Sequence, residues 1–222
     1  MSGIPCKIFG TPICRCNTLS ATSKSVTVKE SWRKLFTDHA VYTKFYISSY
    51  LNNIADAPFL LDRLMENQKE IGDYLKDFVS ESRGNEMTIL LKEHISMVGN
   101  YLVALRTGTG TNIEKSYQEI FDNSSRVSKF LSTLNPEKLP FETVKKEFDQ
   151  HNQFVVNLAQ INMRKDYKNE IKEYDMYYNH MIQFSDILSS ALSANIQMGE
   201  KGGYRGLYSK YKLKYMESKK II

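Results

Sequence analysis

Only four histidines occur in the chain, at His39, His94, His151 and His180, and their placement is the first thing that suggests chemistry. His39, His94 and His151 are 55 and 57 residues apart and stand in matching frames: Leu35 to Thr43, Leu90 to Val98 and Glu147 to Val155. In each frame an acidic or amide residue precedes the His (Asp38, Glu93, Gln150), with an apolar residue three before it and an apolar or aromatic one three after. A period of that size marks a repeated helical unit. Three imidazoles converging on one point make a site for zinc, nickel or iron, and three His with an open fourth position is a usual catalytic zinc. The competing reading is a buried polar layer in which each His bonds a neighbouring helix and fixes its register. A small-molecule or anion pocket is a third reading.

A second column runs through the same period. Leu64 to Leu75, Ile120 to Leu131 and Tyr177 to Leu188 align without gaps. Their columns read Asn67, Asn123, His180; Ile71, Val127, Phe184; Gly72, Ser128, Ser185; and Leu75, Leu131, Leu188. A small residue between two apolar columns permits close helix approach. Together with Tyr42 and Thr43, three and four residues after His39, Asn67 and Asn123 complete the candidate polar centre.

Other chemistries find no support. Di-iron bundles need Glu-x-x-His, and Phe36, Leu91, Phe148 and Tyr177 fill the Glu positions. The residues four after each His are Thr43, Val98, Val155 and Phe184, so hemerythrin-like His-x-x-x-His or His-x-x-x-Glu is absent. There is no Gly-x-Ser-x-Gly and no P-loop. The carboxylates read as scattered on solvent faces, with no acid/base pair among them.

The elements that must position these residues read as helices throughout. Thr27-Val28-Lys29-Glu30 forms a capping box ahead of an apolar-periodic run, which predicts a first helix over 28–52 with Trp32, Leu35, Phe36, His39, Tyr42, Thr43, Tyr46 and Ile47 on one stripe. The spacing predicts five more, from Pro58 to about 82, then 86–107, 113–134, 141–162 and 166–196. Gly84-Asn85 reads as a break between the second and third, 107–112 as a flexible turn, and Asn135 to Pro140 as the longest connection. The expected fold is all-α: a six-helix bundle of three tandem helical hairpins (28–84, 85–136, 137–197) with an approximate threefold internal repeat.

Charge is concentrated at the two ends. Residues 201–222 carry seven Lys or Arg against Glu217, a net +6, and residues 1–28 carry +3; the whole chain is +5, so 29–200 carries −4. The stretch 198–222 interleaves Lys201, Arg205, Lys210, Lys212 and Lys214 with Tyr208, Tyr211 and Tyr215. Cations neutralise phosphates and Tyr rings stack on unpaired bases, so the tail suits nucleic acid or another acidic partner. Cys6, Cys14 and Cys16 lie in a Ser/Thr/Pro/Gly-rich arm over 1–25 and read as free thiols. No apolar run approaches the roughly 20 residues of a membrane span, and the start lacks the order of a secretory signal, so the chain is expected to be soluble and intracellular.

The pattern of His39 with Tyr42-Thr43, Asn67 with Ile71-Gly72, Glu93-His94, and Asn135-Pro136 resembles a group of small all-helical proteins with repeated His/Asn hairpins, over about 32–192. The resemblance implies one all-α domain (26–197) and brings no activity with it. The sequence reading is therefore a non-enzymatic structural or interaction protein with a His/Asn polar centre and a basic tail. Its alternative is a metal-binding protein or metal-dependent enzyme on three or four of the histidines.

Overall fold

A computed structural model describes residues 21–108 and 110–196. They form six α-helices: α1 (Ala21–Leu51), α2 (Ala57–Leu75), α3 (Glu81–Thr107), α4 (Gly110–Leu134), α5 (Phe141–Met163) and α6 (Tyr167–Ile196). There are no strands among the described residues. Each helix packs on the next, and α6 returns against α1, so the ring closes; α1 also touches α5 and α3 across the middle. Apolar side chains spaced by threes and fours give each helix one inward stripe, and burying those stripes together builds a single core. At one end of that core the only tryptophan, Trp32, lies 5.0 Å from Tyr74 and 5.8 Å from Phe78. Further in, Phe36 and Phe148 each meet Phe184 edge-on.

Three boundaries differ from the sequence reading. The first helix begins at Ala21, inside the expected arm, and the Thr27–Glu30 capping box is helix interior: Ser31 Oγ donates to the Thr27 carbonyl. Nothing in Ala21 to Ser25 breaks a helix, since the run holds neither Gly nor Pro. The second helix stops at Leu75, and α3 begins at Glu81 behind Ser80, whose side chain accepts from the Arg83 amide. Gly84 consequently lies within α3 and breaks nothing. It faces Gly72 of α2, where a Cβ on either glycine would come within 2.6 Å of the other's carbonyl oxygen. The predicted turn after α3 is present, with Gly108 in the left-handed region at φ 73° and its amide donating to the Ala104 carbonyl.

Candidate functional site: a buried histidine centre

The inward stripes of α1, α3 and α5 carry His39, His94 and His151 to one place. The His151 ring lies 5.4 Å from that of His39 and 5.5 Å from that of His94, centre to centre. All three are buried and, with Gln68, are the polar side chains on a cavity of about 30 Å³. The remaining wall is apolar, including Phe36, Phe148, Phe184, Met87 and Met181.

His180 is buried but does not line the cavity; it stacks on Phe184 and acts as the counterpart of the two asparagines. Asn67 Nδ2 donates to the Leu35 carbonyl at 3.0 Å, Asn123 Nδ2 to the Leu90 carbonyl at 3.3 Å, and His180 Nε2 to the Glu147 carbonyl at 3.1 Å. Leu35, Leu90 and Glu147 each stand four residues before a centre histidine. Within an α-helix the carbonyl of residue i receives the amide of residue i+4. Each of these carbonyls therefore serves the backbone N–H of His39, His94 or His151 and, with its second lone pair, a side chain of the following helix.

Burial keeps the centre uncharged at neutral pH. It holds the His39 imidazole down to about 4, with the neighbouring Asn67 amide opposing. It brings His94 to about 3, helped by His39. His151 is held well below the ordinary value by burial and by His39, His94 and His180. His180 is lowered by burial, while Glu147, whose carboxylate is 3.7 Å from Nδ1, pulls it back up.

The proposed metal ligands can be tested against what surrounds them. A His bound to metal through one ring nitrogen gives its other N–H to a carbonyl or carboxylate. His39 Nδ1 instead faces Gln68 Nε2 at 3.1 Å. That nitrogen is fixed as the donor because it also lies 2.8 Å from the Leu64 carbonyl, which leaves the His39 proton on Nε2. His151 Nδ1 faces the Met181 sulfur at 3.1 Å, and His94 Nδ1 has no hydrogen-bond partner among the described residues. Among the described residues no group of three or more His, Cys, Asp or Glu is placed to hold a metal ion. As arranged, these residues do not fit a zinc, nickel or iron site.

Two other sequence expectations change. Tyr42 stands outside the centre, half-buried, with the Arg63 guanidinium 4.7 Å from its ring; three residues after His39 turns it toward α2. Thr43 is buried beside the Tyr177 hydroxyl, whose proton is held more tightly than an ordinary phenol's by burial, an effect the Thr43 contact opposes. The carboxylates are also not all on solvent faces. Glu170 and Glu173 are buried on the inner stripe of α6. Glu170 Oε1 accepts from Asn162 at 2.9 Å and Lys44 at 2.8 Å, and Glu173 accepts from Asn157 at 2.8 Å. Their spacing to Tyr177, His180 and Phe184 was the available signal. Lys201, Arg205, Tyr208, Lys210, Tyr211, Lys212, Lys214 and Tyr215 of the tail, and Cys6, Cys14 and Cys16 of the arm, lie outside the described residues.

Among the described residues no helix is long and apolar enough to cross a membrane. Compared with known proteins, the chain matches no family model, no curated protein and no solved structure.

Proposed function

We propose that this protein is a non-enzymatic structural or interaction module, built from three tandem helical hairpins whose His/Asn centre fixes how they are staggered. The observation that carries this reading is the hydrogen bond made three times, from Asn67, Asn123 and His180 to the carbonyl four residues before a centre histidine. That recurrence is what a threefold repeat of hairpins requires. A cavity of about 30 Å³ has room for a water or two and for no substrate of ordinary size. The basic 198–222 segment then serves as the attachment to nucleic acid or another acidic partner, on its alternation of cations with tyrosines.

The test is an Asn67→Ala and an Asn123→Ala substitution, assayed by urea unfolding beside metal analysis of the purified chain. Each should lower stability by about 1–3 kcal/mol, because a buried carbonyl loses a donor and a small void opens. Stability that is unchanged in both, or stoichiometric zinc, nickel or iron removed together with stability by a chelator, would replace this reading with the metal-centre one. For the tail, salt-sensitive retention on single-stranded nucleic acid should disappear when 198–222 is deleted, and binding that survives the deletion refutes that part.

A further inference from the structure

Three buried imidazoles, with His151 5.4 Å from His39 and 5.5 Å from His94 and no counter-charge among the described residues of the cavity wall, are a good arrangement for staying neutral and a poor one for accepting a proton. The surrounding groups sharpen the point. From α1 the centre receives His39, while the adjacent Asp38 is turned away to Lys34 and Arg63. From α3 it receives His94, with Glu93 turned out to Arg126 at 2.7 Å. From α5 it receives His151, with Glu147 directed to His180 and Asp149 to Lys145 and Ser124. α2 contributes Gln68 and α4 contributes Leu131, neither of them titratable. α6 contributes Tyr177, 5.5 Å from His151, and His180 from behind it. Among the described residues no carboxylate lines the cavity to hold an imidazolium.

The three rings also belong to α1, α3 and α5, the helices whose contacts cross the middle of the ring. We propose that the His39–His94–His151 centre is an acid-operated lock, holding α1 against α5 and α3 while the rings are neutral and releasing it when they take up protons. The proposal rests on the structural reading of the centre, and adds to it that the centre is built to let go.

The direction follows from linkage. Each ring has a lower proton affinity in the closed bundle than in an opened one, so the opened form binds more protons. The lock is at full strength above the ordinary imidazole value of about 6.5 and weakens as pH falls toward about 4, where His39 itself would titrate closed. One such ring multiplies the open-to-closed ratio by at most about ten per pH unit, and by about five across the first unit below its ordinary value, so three together give on the order of 10² between pH 6.5 and 5.5. His180 contributes less, because Glu147 favours its charged form in place.

The experiment is hydrogen exchange of α1, α3 and α5 in the full chain from pH 7.5 to 5.0, corrected for intrinsic exchange, with the open-to-closed ratio plotted against pH. A limiting slope near three protons is expected, falling to two in His94→Asn. A slope of one or less in the unsubstituted chain, or an Asn variant whose slope stays at three, overturns the lock. If His94→Asn does not fold, the slope of the unsubstituted chain decides alone. Failure here, with Asn67→Ala still destabilising at pH 7.5, removes the lock and leaves the structural reading standing.

Discussion

Replacing Gly72 by alanine is a direct test of how tightly α2 and α3 are drawn together. A Cβ on Gly72 would sit 1.9 Å from Thr88 Oγ1 and 2.6 Å from the Gly84 carbonyl oxygen. Thr88 can turn its hydroxyl away, losing only a 3.2 Å bond to that same carbonyl. The carbonyl cannot turn, being part of the α3 backbone. Ordinary contact begins near 3.4 Å, so α2 and α3 must part by about 0.8 Å at the crossing. Two effects then oppose each other. Alanine is the better helix former by about 1 kcal/mol. Forcing a methyl into a filled interface costs about 1–3 kcal/mol, toward the upper end when backbone is the obstacle. Steric cost should win, leaving Gly72→Ala less stable by about 2 kcal/mol. Gly84→Ala should behave similarly, since its Cβ would meet the Gly72 carbonyl at 2.6 Å and Lys76 Cγ at 2.3 Å. The double variant should lose less than the sum, because one separation relieves both contacts. Urea unfolding followed by Trp32 fluorescence reads this directly, since Trp32 packs on Tyr74 just beyond the crossing. A Gly72→Ala protein as stable as the parent, or more stable, would refute the argument that this glycine pair sets the spacing.

Other substitutions have clear expected outcomes. Glu170→Ala should cost about 1–3 kcal/mol in urea unfolding, because it leaves the half-buried Lys44 Nζ and the buried Asn162 Nδ2 with only Ser48 Oγ between them. Tyr177→Phe should change stability by less than about 1 kcal/mol, since its buried hydroxyl makes no hydrogen bond among the described residues that the substitution would break. Acid should act in two stages. The histidine stage occupies pH 6.5 to about 4. A later stage belongs to carboxylates such as Asp186, held below the usual range by Arg33, which bonds it twice at 2.7 Å, and by Lys29. A group lowered in this way stabilises the fold above its unfolded value and stops doing so as pH falls below about 4. Asp186→Asn should therefore flatten the stability curve below pH 4 and leave the pH 6 to 5 limb unaltered.

Much of the architecture was legible because helices announce themselves by period. Trp32, Leu35, Phe36 and His39 share a stripe only if that segment is helical, and the same holds for all six. The meeting of His39, His94 and His151 was legible for a related reason: each lies on the apolar stripe of its own helix, and those stripes are buried in one core. Gly84 was misread because glycine serves both turns and close approaches, and only the presence of Gly72 opposite tells which. Gln68, Glu170 and Glu173 escaped notice because their partners His39, Lys44 and Asn157 lie on other helices. Pairings of that kind depend on how the ring closes, which no single helix encodes.

Closure of the ring has one more consequence. Because α6 packs on α1, the beginning of α1 and the end of α6 come to the same pole as the α2–α3 and α4–α5 turns. The chain beyond those points, residues 1–20 and 197–222, carries net charges of +2 and +5, while 21–196 carries −2. No helix in such a ring is first or last in any structural sense. A circular permutant that joins the two ends through a short linker and opens the three-residue turn at 164–166 would keep every helix neighbour. It would also place the new termini at the opposite pole, on a bundle freed of both basic extensions.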